Sequence, residues 1–264
     1  MSSRIEPRAP LEVAVSVWKA LFLRDAVRRL RKRPFAWGWL ILEPIFQIAF
    51  LVFLFSAVRL REIGGIDIEQ WLMVGFLVFM MFRFTAVRSF NVLKENSQLF
   101  LYRQVKGVDA VFVRVALEGF LHIIVTIILF AGASLIGLDM MPDDPLTLML
   151  VFFAMWLVGA GMGLIGSVAM IVLPALGAGL RLSMMPLFFA SGVIFPIANV
   201  PDDLRFLVVF NPLAHGPDAA RHAFSDQYQT FPELNLGFLL AAGVWLVFFG
   251  LALHVRYASR LTQG

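Results

Sequence analysis

The chain alternates between long apolar blocks and short polar joints. A helix crossing ~30 Å of hydrocarbon needs about 20 mostly apolar residues. Six stretches answer to that description: Trp39–Val58, Trp71–Phe90, Ala110–Ile136, Leu146–Leu173, Leu182–Ile197 and Leu236–Val255. The fifth is the shortest and contains Pro186 and Pro196. The pattern predicts an all-α polytopic membrane protein. It has an amino-terminal segment (1–38), a six-span domain (39–255) and a short tail (256–264).

Three joints have a pattern of their own. In Leu11–Arg33, Leu11, Val15, Trp18, Leu21 and Phe22 recur at helical spacing, opposed by Glu12, Ser16 and Lys19, until Pro34 stops the helix. Apolar residues with Trp on one face and cations on the other predict a helix lying in the membrane interface. A plain basic flank to the first span is the simpler alternative. Asn91–Gly107 holds Leu99, Phe100, Leu101 and Tyr102, too many large apolar groups for an idle loop. It reads either as a docking surface or as a loop folded back on the membrane. Asp109 then caps the third span. Residues 198–235 contain Leu204–Phe210, far too short to cross, with helix starts near Pro201 and Pro217. Two short helices dipping partway into the membrane are expected, shielded by protein or lining a cavity.

Composition agrees with lipid as the solvent. Hydrophobic residues make up 60% and charged residues 15%, where soluble domains carry about 25% charged. Mean hydropathy is +0.83. The net charge is +4, and nine of the 22 Lys and Arg precede residue 34. A nucleic-acid binder needs a solvated basic face; here the basic cluster abuts an apolar block, so membrane lipids with anionic headgroups are the expected partner. With the amino terminus inside, 16 Lys and Arg fall in inner segments and four (Arg59, Arg61, Arg205, Arg221) in outer ones. Both termini are therefore expected to be cytoplasmic. Nearly forty polar-rich residues precede the first block, unlike a secretory signal peptide. The chain has no Cys, which removes disulfides and thiolate chemistry.

Chemistry-bearing groups are few. Gly161-Met-Gly163-Leu-Ile-Gly166 fits GxGxxG, but no strand precedes it. Gly159, Gly163 and Gly166 instead share a helix face and predict close helix packing. Glu43, Arg83, Arg114, Glu118 and His122 fall within spans, where a lipid-facing charge costs roughly 2.5–3.5 kcal/mol, so they must face protein or water. Arg114, Glu118 and His122 stack on one face of the third span. They form either a register-fixing ion network or a polar lining for a path. No metal or catalytic set is expected: His215 and His222 are seven residues apart, and Ser191 lacks a nucleophile-elbow frame. None of the four lysines follows a Gly, so there is no Walker A motif, and any ATP chemistry must come from a partner. Internal repeats with broken helices, the mark of many secondary transporters, are not evident.

Several segments, in order, resemble one family. They are Leu21-Phe-Leu-Arg-Asp25, Trp39-Leu-Ile-Leu-Glu-Pro44, Asn96-Ser-Gln-Leu-Phe-Leu-Tyr-Arg-Gln-Val-Lys106, and Phe195-Pro196 through Asn211-Pro-Leu-Ala-His215. Together these resemble the permease subunits of ABC-type polysaccharide exporters, the capsule exporters above all. The resemblance implies six spans behind an interfacial helix, two copies around one channel, and two separate ABC ATPase subunits carrying ATP and Mg. It implies a coupling helix over Leu93–Arg103 and two re-entrant outer helices over 201–224. The implied cargo is a lipid-linked acidic capsular polymer leaving the bacterial inner membrane. The implied further partners are a periplasmic copolymerase and an outer-membrane exit protein. Gly107 stands where the family pattern leads us to expect Pro, and Arg83 is outside that pattern. Export of O-antigen or teichoic acid, or a membrane enzyme acting on lipid-linked sugars, are the alternatives.

On this reading the residues take roles. Glu95, Asn96, Leu99, Phe100, Tyr102 and Arg103 are expected to couple to the ATPase. Arg24, Arg28, Arg29 and Arg31 would receive the phosphate-bearing lipid end of the cargo. Phe46, Phe50 and Phe53 of the first span, with Phe188, Phe189 and Phe195 of the fifth, would line the channel. Flat aromatic faces stack on sugar rings without gripping any one of them.

Overall fold

The structure is a computed structural model that describes residues 10–31, 36–57, 62–101, 105–197 and 200–261. It is almost wholly helical. The amino-terminal helix α1 (Pro10–Arg31) is followed by α2 (Ala36–Ala57). A two-residue-stranded hairpin, β1 (Glu62–Ile63) and β2 (Ile66–Asp67), leads into α3 (Ile68–Ser89). Then come α4 (Val92–Glu95) with a 3-10 turn at Ser97–Leu101, α5 (Gly107–Leu135) and α6 (Pro145–Val172). Short helices α7 (Pro174–Leu182), α8 (Met184–Ala190), α9 (Arg205–Val209) and α10 (Pro212–Phe224) precede α11 (Leu236–Arg256) and α12 (Ala258–Leu261).

Among the described residues five helices are long and apolar enough to cross a membrane: α2, α3, α5, α6 and α11. Each coincides with an expected span. The fifth expected span, Leu182–Ile197, differs. It is replaced by α7 and α8, which start earlier and together cover 174–190. Even at full helical rise, the residues of 174–190 would cover only about 25 Å, short of the ~30 Å core. Two features explain the break. Pro186 has no N–H to give the carbonyl of Leu182, so the ladder lapses at the α7–α8 joint. After Ala190 the chain turns at Gly192, whose φ of +66° suits only glycine, and leaves the helix before Pro196.

The core centres on α3. In its apolar window 78% of residues are buried, against 17% in α2 and in α11, so α3 is the inner helix and the other two stand at the periphery. α6 packs along α3 and α11. Gly159 and Gly163 face α3: an added Cβ would lie 2.8 Å from the Phe82 carbonyl and 2.8 Å from Ser89 Cβ, respectively. The glycine run is thus a packing face, as its spacing indicates. Helix starts are capped locally. Asp144, Asn211 and Asn235 accept from the N–H groups of Leu146 and Thr147, of Leu213, and of Gly237, each cap being worth about 0.5–2 kcal/mol. Bonds from Thr147 and Leu146 hold Asp144 below the usual carboxylate range. Asp109 accepts from the Lys106 N–H and caps α5, as expected.

The hairpin was not legible as such. Its turn, Gly64-Gly65, has φ of 61° and 82°, the left-handed pair that a two-residue hairpin requires.

Candidate functional site

Two clusters, at opposite ends of the bundle, hold nearly all the chemistry. The first gathers α1, α4 and the start of α5. Arg114 on α5 donates to Asp25 of α1 at 3.2 Å and to Glu95 of α4 at 3.0 Å. One turn further, Glu118 receives Arg88 of α3 at 2.6 Å, and Arg29 of α1 stands 3.3 Å away. Glu118 is 1% exposed, so an unpaired carboxylate there would cost several kcal/mol. Arg24 closes the ring by donating to Asp25 and to the Asn96 amide oxygen. Trp18 adds an indole N–H to Asp109 at 2.9 Å. Helix α1 is therefore pinned to the bundle by charge as well as by its apolar face.

Several expected roles are placed differently by this geometry. The five intramembrane polar residues do not form one network. Arg114 and Glu118 each pair with other helices, and His122 bonds the Leu77 carbonyl at 2.8 Å between Phe84 and Phe152. Arg83 donates to the Met80 sulfur and interacts with the charge of Glu43 at longer range, and neither makes an ion pair among the described residues. Arg24 and Arg29 are engaged by carboxylates, whereas Arg28 is exposed and has no carboxylate partner among the described residues. Among the described residues, the segment after α4 does not display a free apolar surface. Phe100 is buried with Val92, Leu93, Val111 and Leu261, Asn96 is buried, and Leu99 is half-buried. Glu95 remains exposed. The side chain of Arg31, with Tyr102 and Arg103, lies outside the described residues.

The second cluster lies where the hairpin, the 191–197 turn and residues 218–232 meet. They enclose an open cavity of about 1270 Å³, larger than the ~300–1,000 Å³ typical of small-ligand pockets. Phe50, Phe189, Phe195, Tyr228 and Phe231 give it aromatic walls, and Glu62, Gln227, Gln229 and Thr230 give it hydrogen-bonding groups. Three of the six expected lining residues, Phe50, Phe189 and Phe195, thus meet in one place. Phe46 and Phe53 share the exposed stripe of α2 but lie outside the cavity wall. Phe188, half-buried, packs edge-on against Phe76, Phe79 and Phe189 at the edge of the core and is not part of this cavity's wall.

Arg221 holds this end together, and its charge was legible only as an outer base. It is 1% exposed. Its guanidinium lies 3.3 Å from the Trp71 ring centroid and donates to the carbonyls of Trp71, Gly192 and Val193 at 3.2, 2.8 and 3.0 Å. Gly75 makes room for it, since a Cβ there would collide with the guanidinium. One turn earlier Asp218 accepts from Tyr228 Oη at 2.9 Å and from the Phe231 N–H at 3.1 Å. These two residues fix the cavity's back wall to α3 and α10. Burial raises the Tyr228 phenol to about 12, so it stays a donor at any physiological pH. Among the described residues no group of His, Asp or Glu is placed to hold a metal ion.

Known proteins resemble the chain over nearly its whole length. Polysialic acid transport protein KpsM of Escherichia coli is 29% identical over 257 residues, covering 97% of this chain and 99% of that protein. The capsule polysaccharide export inner-membrane protein CtrC of Neisseria meningitidis serogroup A is 27% identical over 244 residues, 91% of this chain and 90% of its own. BexB of Haemophilus influenzae, of the same description, is 26% identical over 253 residues, 94% of each. Residues 16–225, which include both clusters except for the last cavity residues, match the family described as ABC-2 type transporter. The chain belongs to the ABC-2 type transporter family.

Proposed function

We propose that this chain is the channel-forming membrane subunit of an ATP-driven exporter that carries a lipid-linked capsular polysaccharide across the bacterial inner membrane. The observation that carries the reading is the aromatic cavity. Its rings offer flat apolar faces and its glutamines and Thr230 offer exchangeable hydrogen bonds, which suits a sugar chain that must slide. Three relatives named for capsule or polysialic acid transport support the same cargo class.

The chain works as two copies with two ABC ATPase subunits that bind ATP and Mg. Its amino terminus is cytoplasmic, in accord with the excess of Lys and Arg at that end. ATP-driven closure of the partner pushes on α4 and the Ser97–Leu101 turn. The Glu95–Arg114 and Arg24–Asn96 contacts carry that displacement to α5 and α1. Phe100 serves by anchoring the turn in the small core beneath it. Arg28, exposed and without a carboxylate partner among the described residues, receives the cargo's phosphate-bearing end. Helices α9 and α10 sit in the outer half of the membrane beside the exit, where a periplasmic copolymerase and an outer-membrane protein take over.

The test is export by cells deleted for their own permease and supplied with this chain and its ATPase. Surface polymer should appear with the wild type and fall several-fold with Phe195→Ala, while co-purification of the ATPase is kept. Export unchanged by Phe195→Ala and Phe189→Ala together would reject the path.

A further inference from the structure

A second cavity owes nothing to the export path. Between α1 and the first turns of α5, an apolar groove of about 630 Å³ is walled by Trp18, Phe22, Phe112 and Trp156, with Ala116 at its floor. It exists because the α5 ridge Phe112, Ala116, Phe120 has a small residue in the middle. Phe22 closes the far end edge-on against Phe120, ring centroids 6.3 Å apart.

The groove has nothing polar left to offer. Both indole N–H groups point away to acceptors in the protein, Trp18 to Asp109 and Trp156 to the Val115 carbonyl, each at 2.9 Å. A sugar or peptide would lose its water there and find no partner. A hydrocarbon chain loses nothing. Depth agrees: Phe112 and Ala116 stand about 8–14 Å along α5 from Gly107 at 1.5 Å per residue, the level at which an interfacial helix meets acyl chains. The one charged residue on the wall is Lys19, at the rim and exposed. A cation above a greasy slot complements a phosphate above an alkyl chain.

We propose that this groove is a binding site for one acyl chain of an anionic bilayer phospholipid, whose phosphate is held by Lys19. The occupant is a lipid of the surrounding leaflet rather than the cargo. The site depends on the membrane placement of α1 and α5 and is independent of whether the chain exports sugar. The bound lipid completes the seam between α1 and the bundle beside the Asp25–Arg114 and Arg29–Glu118 pairs.

Native mass spectrometry of the full chain, extracted from vesicles of mixed phosphatidylglycerol and phosphatidylcholine, tests this. One retained lipid per chain is expected, with phosphatidylglycerol favoured about five-fold, the ratio expected for one Lys near an anionic surface. Ala116→Phe fills the slot at an exposed position and should abolish retention; the milder Ala116→Leu should lower it. Lys19→Gln should keep a lipid but erase the preference. Retention unaffected by both Ala116 variants, or a headgroup preference unaffected by Lys19→Gln, would overturn the proposal. So would loss of the bound lipid when the protein is made in cells that synthesise no capsule precursor, since the occupant would then be the cargo's own anchor.

Discussion

The two ends of the bundle are held by different physics. At the α1–α4–α5 end, four elements are joined by ion pairs: Asp25 and Glu95 on Arg114, Arg29 and Arg88 on Glu118. At the cavity end, Arg221 is bound by three backbone carbonyls and a Trp face, with no carboxylate in direct contact. Side-chain ion pairs between separate helices have many near-equivalent arrangements and survive a shift of an ångström or two. A fork seated in three fixed carbonyls has one arrangement. The first end can yield to a displacement, and the second keeps its shape.

That contrast can be broken most severely at Arg221. Arg221→Ala orphans the buried Gly192 and Val193 carbonyls, while the Trp71 carbonyl keeps its helical partner, and it empties the space against Trp71, at about 1–3 kcal/mol for each unpaired group. It should cost at least ~4 kcal/mol in total, large among single substitutions. Thermal unfolding of the purified chain should show it, and Arg221→Lys should rescue little. Glu118→Gln comes next. It removes the ion-pair partner of Arg29 and Arg88, but both have side chains about a fifth exposed. The loss should fall to about 2–3 kcal/mol, below the ~3–5 of a fully buried pair. Asp109→Ala removes the α5 cap and the Trp18 acceptor for about 1 kcal/mol, read as detachment of α1 by limited proteolysis. Smallest is Phe195→Ala, within ~0.5 kcal/mol of wild type because the ring is 55% exposed. It sharpens the contrast by separating export from stability.

The legible parts of the molecule were those in which one physical rule acts alone. Long apolar runs located α2, α3, α5, α6 and α11, and Gly159 and Gly163 announced helix contact. The α7–α8 break depended on where Pro186 fell in the ladder, a local effect that a hydropathy window averages away. Arg88 and Asp25 drew no role from the sequence because their partners sit 30 and 89 residues distant, and one sequence carries no record of such pairing. Arg221 was disguised in the same way, although an Arg in a helix of Ala, Gly and Pro, with Gly75 vacant opposite, is the trace it leaves. Of the phenylalanines, spacing alone could not separate Phe188, packed at the edge of the core, from its neighbour Phe189 at the cavity.

The central claim is that this chain is a conduit whose driving force is supplied from outside it. Reconstitute it in proteoliposomes with a fluorescent lipid-linked capsular oligosaccharide, with and without the ABC ATPase subunit. The account predicts that the glycan becomes protected from an external glycosidase, or exposed to it, only when the ATPase and ATP are both present. Movement or chemical change of the glycan by the chain alone would contradict it.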